Sequence, residues 1–184
     1  MIRKILFIIA AWLLFSGMQA ASPTSQEIIT QLLRNATGGI EIHNINGQTS
    51  YSGFVGTGYV HYFYENKAYI RPDIAVKWGE LRFSSEHQIR TTSIALPVTV
   101  GYHVLQQNNM RMTLFGGGRY EQFLRAESNN NANNINNSQV GLTTGASLNF
   151  SNRFGINASY YHGLTSLFRD GSGKITSFSF SFNF

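Results

Sequence analysis

The sequence predicts an all-β protein, an eight-stranded antiparallel transmembrane β-barrel with a short N-terminal amphipathic helix. Three observations carry this expectation. The last ten residues alternate strictly, with Phe178, Phe180, Phe182 and Phe184 on one face and Ser177, Ser179, Ser181 and Asn183 on the other. A water-soluble protein must bury such an aromatic face, whereas a membrane strand turns it to lipid and keeps the small polar face inside the barrel. Charge is sparse, at 12% of residues against roughly 25% in soluble domains, yet beyond the N-terminus no apolar run is long enough for a spanning helix. Finally, segments of period two recur, joined by connections that alternate between short and long.

The N-terminus reads as a secretory signal peptide over residues 1–21. Arg3 and Lys4 are the positive region, Ile5 to Phe15 the apolar core, and Ser16 to Ala21 the small residues before a cut after Ala20 or Ala21. With no cysteine in the chain, lipid attachment as a lipoprotein and disulfides are both excluded. The formal charge of +5 includes Arg3 and Lys4, and losing them leaves +3, ordinary scatter with no nucleic-acid patch.

Residues 22–38 are read as a periplasmic amphipathic helix. Thr24 caps it with Glu27 as a capping box, Ile28, Ile29, Leu32 and Leu33 form its apolar stripe, and Gly38-Gly39 ends it. Residues 39–184 then read as the barrel. The first run, Gly39–Ile45, sets Ile40 and Ile42 against Glu41 and His43. Gly53–Phe63 follows, with its facing left open by glycines. In Ala68–Trp78, Ile70, Ile74, Val76 and Trp78 oppose Tyr69, Arg71, Asp73 and Lys77. In Thr92–Val104, Ile94, Leu96, Val98, Val100 and Tyr102 oppose Ser93, Ala95, Thr99 and His103. Met110–Leu124 turns Met112, Leu114 and Tyr120 out and Arg111, Thr113, Phe115, Arg119 and Glu121 in. Gln139–Phe150 turns Val140, Leu142 and Leu148 out, and Arg153–His162 turns Phe154, Ile156 and Tyr160 out with Asn157, Ser159 and Tyr161 in.

The short connections are Glu65–Lys67, Gln106–Asn109 and Ser151-Asn152. The long ones are Asn46–Ser52, Gly79–Thr91, Arg125–Ser138 and Leu164–Lys174. Short turns belong to the periplasm and long loops to the outside. The asparagine tract Asn129–Asn137 is expected to be mobile and external.

Several motifs in order, Thr92–Tyr102, Leu114–Tyr120, Val140–Ala146 and Tyr160–Ser166, resemble the PorT-like family of outer-membrane β-barrel proteins over about Gly53 to Phe184. The resemblance implies a barrel in the outer membrane of a Gram-negative bacterium. It implies no single activity, since the namesake assists secretion. The terminal aromatic strand, with Phe180, Phe182 and Phe184, also looks like the signature that such barrels present to their assembly machinery.

Eight strands enclose only enough room for side chains. The inward charges Glu41, Arg71, Asp73, Lys77, Arg111, Arg119 and Glu121 are therefore expected to pair into a network that plugs the interior, with a narrow ion path as the competing reading. His162 with Ser159, Thr165 and Ser166 is the one constellation worth testing as a lipid-A hydrolase site. The lipid-A deacylases it would resemble carry a serine two residues after the histidine, and Leu164 stands there instead. Tyr160, Tyr161 and His162 are read as interfacial belt residues. No metal spacing and no phosphate loop occur, so no cofactor is expected. The expected role is structural or partner-binding, with outer-membrane lipid and the barrel-assembly machinery as partners and a periplasmic or secretion partner possible. A lipid-A-modifying enzyme is the alternative and a narrow channel the third reading.

Overall fold

The computed structural model describes residues 25–84, 88–128, 135–150 and 154–183. The signal-peptide reading, the Thr24 cap, the Ser151-Asn152 turn, most of the asparagine tract and Phe184 lie outside these residues. An N-terminal unit ends at Thr30, and Gln31–Phe184 forms the barrel unit. A helix, α1, spans Ser25–Arg34. Its end at Arg34 is where the helical stretch Thr24–Arg34 is expected to end, and the first strand begins at Thr37, two residues before the expected Gly39.

Among the described residues nine strands follow: β1 (Thr37–Ile45), β2 (Gln48–Gly58), β3 (His61–Phe63), β4 (Ala68–Arg82), β5 (Gln88–Gln107), β6 (Met110–Ser128), β7 (Ser138–Phe150), β8 (Phe154–Ser166) and β9 (Lys174–Asn183). Each pairs antiparallel with the next stave. β1 pairs with β9, and β2 with β4, which closes the sheet into an eight-stave barrel. β2 and β3 are one stave on a continuous register against β4, interrupted at Tyr59 and Val60. The cause is Pro72. The Tyr59 amide donates to the Pro72 carbonyl at 3.1 Å, but proline has no N–H with which to complete the pair. On its other edge β4 loses pairing with β5 between Pro72/Val98 and Ala75/Ala95, opposite Pro97.

Facing follows the alternation. Ile40, Ile74, Val98, Leu114, Leu142, Ile156, Phe178, Phe180 and Phe182 are exposed on the outer surface, while Glu41, Lys77, Thr99, Thr113, Gln139, Tyr161 and Ser177 are buried inside. Near the short-turn end Phe150, Phe154 and Phe182 stack in a row at centroid spacings of 6.4 and 6.1 Å, the aromatic girdle of a membrane interface.

The connections depart from expectation at the loop end. Asn46–Ser52 is not a long loop. Asn46 (φ 52°) and Gly47 (φ 81°) make a two-residue hairpin turn, the conformation that Asn-Gly favours because both positions need positive φ. β4, β5 and β6 run well into the segments expected to be loops. The described end of the asparagine tract is packed: Ile135 is buried, and the Asn136 side chain donates to the carbonyls of Ser166 and Phe168 at 2.9 and 3.1 Å. In the β8–β9 connection the Ser172 hydroxyl and amide donate to Asp170 at 2.7 and 2.9 Å and hold its carboxyl below the usual range.

Candidate functional site

The interior is built in three layers. At the loop end, Ile45, Leu81, Ile89, Phe123, Ile135, Leu167 and Ile175 form an apolar cluster, with Phe83 and Phe168 packed edge-to-face at 4.9 Å beside it. These residues come from strand ends and from two loops, which fold inward to bury them.

Below this cluster lies a ring of charges. Arg119 donates to Glu41 at 2.9 Å and lies 3.2 Å from Glu121; Lys77 lies 2.9 Å from Glu41 and 3.0 Å from Glu121. Two cations and two anions alternate around the ring, so its formal charge is zero. All four are buried, the most exposed, Arg119, at 8%. Ser93 donates to the second oxygen of Glu121 at 2.6 Å. His43 bridges Ser52 and Ser177 at 2.7 and 2.9 Å. The Arg119 guanidinium sits 3.5 Å over the centre of the Tyr161 ring, an attraction between cation and ring quadrupole.

Tyr161 corrects the interfacial reading of the Tyr160–His162 run. It points inward and is 1% exposed, whereas Tyr160 packs on Phe178 outside at 5.0 Å. Gly141 makes room for it, because a Cβ there would run into the Tyr161 ring and the His162 carbonyl. Gly141→Ala is therefore expected to cost roughly 1–3 kcal/mol by overpacking. Gly118→Ala, whose Cβ would meet nothing closer than 4.0 Å, is the neutral control. Urea unfolding in lipid vesicles measures both.

The third layer is a cavity of ≈ 580 Å³ between the ring and the short-turn end, reaching the rim at Gln106, Asn108 and Asn109. The remaining predicted charges lie here and do not join the ring. Arg71 pairs with Asp73 at 2.7 Å. Arg111 forms no ion pair among the described residues, and its terminal nitrogen lies 3.4 Å from the Tyr62 hydroxyl. Tyr62, Tyr69 and His103 cluster with centroids 5.6–6.1 Å apart. On β8 and β9 the Asn157 amide donates to Ser181 and Asn183 at 3.1 and 2.9 Å. Thr57 bonds the Leu32 carbonyl at the last turn of α1, and Asn35 donates to Gly58 at 3.0 Å.

The hydrolase constellation is not brought together. His162 is exposed on the outward face, paired with Leu142, while Ser159 faces inward opposite Ser179. Thr165 is tied to the Val140 amide at 2.9 Å and Ser166 to the Gly171 carbonyl at 2.7 Å. Among the described residues no group of His, Asp and Glu has the makings of a metal site. Sequence reasoning did not single out the Tyr62–Tyr69–His103 cluster. Alternation places Tyr69 and His103 inside, but not at one height.

A closed eight-stave barrel with a lipid-facing apolar surface, aromatic girdles and a polar interior defines an outer-membrane β-barrel protein. The chain belongs to the Outer membrane protein beta-barrel domain family, which it matches over residues 14–169, and its place is the Gram-negative outer membrane. Among solved structures it is similar in fold to the outer membrane enzyme PagL (13% identity, TM-score 0.57, covering 79% of this chain and 97% of that one). It is also similar to Ail, the attachment invasion locus protein of Yersinia pestis (15%, 0.42, 81% and 95%). A third is the N-terminal β-barrel domain of Pseudomonas aeruginosa OprF (12%, 0.36, 82% and 98%). At such identities the likeness is one of fold alone. No curated protein matches the chain.

Proposed function

We propose that this chain is a PorT-like, non-conducting and non-catalytic barrel that anchors binding surfaces in the outer membrane. One surface is formed by its loop end outside the cell, the other by the short turns and the Gln31–Arg34 end of α1 in the periplasm. The observation that supports this reading is the double closure of the interior. A neutral ring, in which Glu41, Lys77, Arg119 and Glu121 each lie within 3.2 Å of two opposite charges, sits directly under an apolar cluster. Buried charges that pair with one another in this way offset part of each other's desolvation, which favours a structural role over an ion path. The Thr57 bond to the end of α1 supports a role for the helix as a periplasmic clamp. Phe180 and Phe182, on the lipid face of β9, carry the part of the terminal aromatic signature that the assembly machinery would read.

Planar-bilayer recording of the purified barrel is the first test. No steady conductance above background is expected, and a reproducible single-channel current would overturn the closed interior. Lipid-A profiling by mass spectrometry tests the absence of catalysis. His162→Ala is expected to leave the profile of expressing cells unchanged, since His162 and Ser159 lie on opposite faces of β8. An acyl change made by the wild type and abolished by the variant would favour the lipid-modifying enzyme. Co-purification from cross-linked outer membranes separates the partner-binding role, which predicts a stoichiometric companion, from a barrel that works alone.

A further inference from the structure

We infer that the turn-end cavity binds a small hydroxylated anion, a carboxylate or phosphate carried on a sugar-like body, with Arg111 as the recognising cation. The volume, ≈ 580 Å³, is that of a small-molecule site, for which about 300–1,000 Å³ is typical. It is too large for a self-filled core and too well closed above for a passage.

The charges of its wall do not cancel. Asp73 is taken up by Arg71 at 2.7 Å, and Glu41 by Lys77 and Arg119 at 2.9 Å each. Arg111 is left without a carboxylate among the described residues. Its Nη1 reaches only the Tyr62 hydroxyl, at 3.4 Å, and its Nε is buried with no hydrogen-bond partner. Two residues along the same inward face of β6, Thr113 holds Nδ1 of His103 at 2.8 Å, while the other ring nitrogen of His103, Nε2, is likewise buried and unpartnered. A buried polar group left unpaired costs roughly 1–3 kcal/mol, and Arg111 adds to that a positive charge with no carboxylate beside it among the described residues. The economical complement is a ligand that accepts from the guanidinium and bonds the imidazole.

The surroundings select the rest of that ligand. Tyr62, Tyr69 and His103 form a ring cluster beside Arg111, suited to the apolar face of a saccharide ring. The wall from β7 to β9 presents Asn149, Asn157, Ser179, Ser181 and Asn183 to the same cavity, donors and acceptors for hydroxyl groups. Planar bidentate recognition of carboxylate or phosphate is what arginine does and lysine does not. The ligand would enter past Gln106 and Asn108 from the periplasm and stop at the ring.

The test is calorimetry on the refolded barrel in a polyoxyethylene detergent, whose headgroup carries no sugar. The probes are glucuronate, glucose 6-phosphate, glucose, acetate and inorganic phosphate. Both sugar anions are expected to bind, the two arms showing whether carboxylate or phosphate is preferred. Glucose, acetate and inorganic phosphate should each bind roughly tenfold or more weakly, since each lacks either the charge or the body. Arg111→Gln should weaken the sugar anions by roughly tenfold or more, the loss expected for one charge-assisted hydrogen bond, and Arg111→Lys should recover only part. In the wild type, the Nε resonance of Arg111 should move on titration. This last readout needs no variant, and it decides the matter if Arg111→Gln does not fold. No heat with either sugar anion in the millimolar range, equal binding by Arg111→Gln, an unmoved Arg111 resonance, or glucose binding as tightly as its phosphate would each overturn the anion site. Acetate or inorganic phosphate binding as tightly as the sugar anions would overturn the hydroxylated body.

Discussion

Arg119→Met is expected to destabilise the barrel by about 3–5 kcal/mol, the cost of breaking a buried ion pair by removing one partner. In the native ring each carboxylate has two cationic neighbours: Glu41 touches Arg119 and Lys77, and so does Glu121. Removing the guanidinium leaves two buried carboxylates to share one ammonium, with net charge −1. It also strips the Tyr161 ring of the cation beneath it. The measurement is the urea midpoint of the heat-modifiable, folded form in vesicles. Two companions separate charge from packing. Glu121→Gln added to Arg119→Met restores a neutral ring and is expected to recover part of the loss. Arg90→Ala, which removes an exposed pair to Glu80 at 3.3 Å, is expected to cost no more than about 1 kcal/mol. A double variant as unstable as the single one would mean that Arg119 acts through volume rather than charge.

How far such a site can be read from sequence depends on which geometric variable is asked for. Facing is written in the chain, because side chains alternate across a strand. Ser177 and Phe178, or Glu121 and Gln122, need no tertiary information to be placed inside or outside. Height along the barrel axis is not written locally. Glu41 and Arg119 are 78 residues apart, and they meet only because the stagger of the staves brings the middle of β1 level with the middle of β6. The same stagger leaves Arg111, equally inward, near the rim without a carboxylate. The Asn46-Gly47 turn did carry a local signal, the dipeptide that tolerates two positive φ values, and the strands on either side continue through the segment read as loop. Ile135 shows the opposite case. A tract of asparagines has no core of its own, but one isoleucine within it can enter a core supplied by Leu167, Phe123 and their neighbours, which no composition argument would reveal. Tyr161, inward by alternation but part of a run read as girdle, is settled by the space that Gly141 leaves for its ring.

The lipid face supplies the second large effect. Val98→Arg is expected to cost about 2–4 kcal/mol and to depress the yield of assembled barrel, because a cation at the bilayer midplane has neither water nor a counter-charge. Val98 is exposed on the outer surface of β5, with Leu96 and Val100 as its outward neighbours along the strand. It lies between Tyr102 towards the turn end and Tyr120, paired with Leu96, towards the loop end, within the apolar stretch of the outer face. The penalty is depth-dependent, which makes the prediction sharper than a simple loss. Val104→Arg, outward on the same strand but beyond Tyr102, is expected to cost only about 0–1 kcal/mol as its side chain reaches the headgroups. Thr99→Ser, one residue from Val98 but inward, keeps the hydroxyl that bonds the Arg71 carbonyl at 3.4 Å and is expected to be mild. Folding yields and urea midpoints in vesicles of defined thickness measure all three. Equal losses at Val98 and Val104 would place the membrane boundary elsewhere on β5, and a loss at Thr99 matching that at Val98 would contradict the assigned facing of the strand.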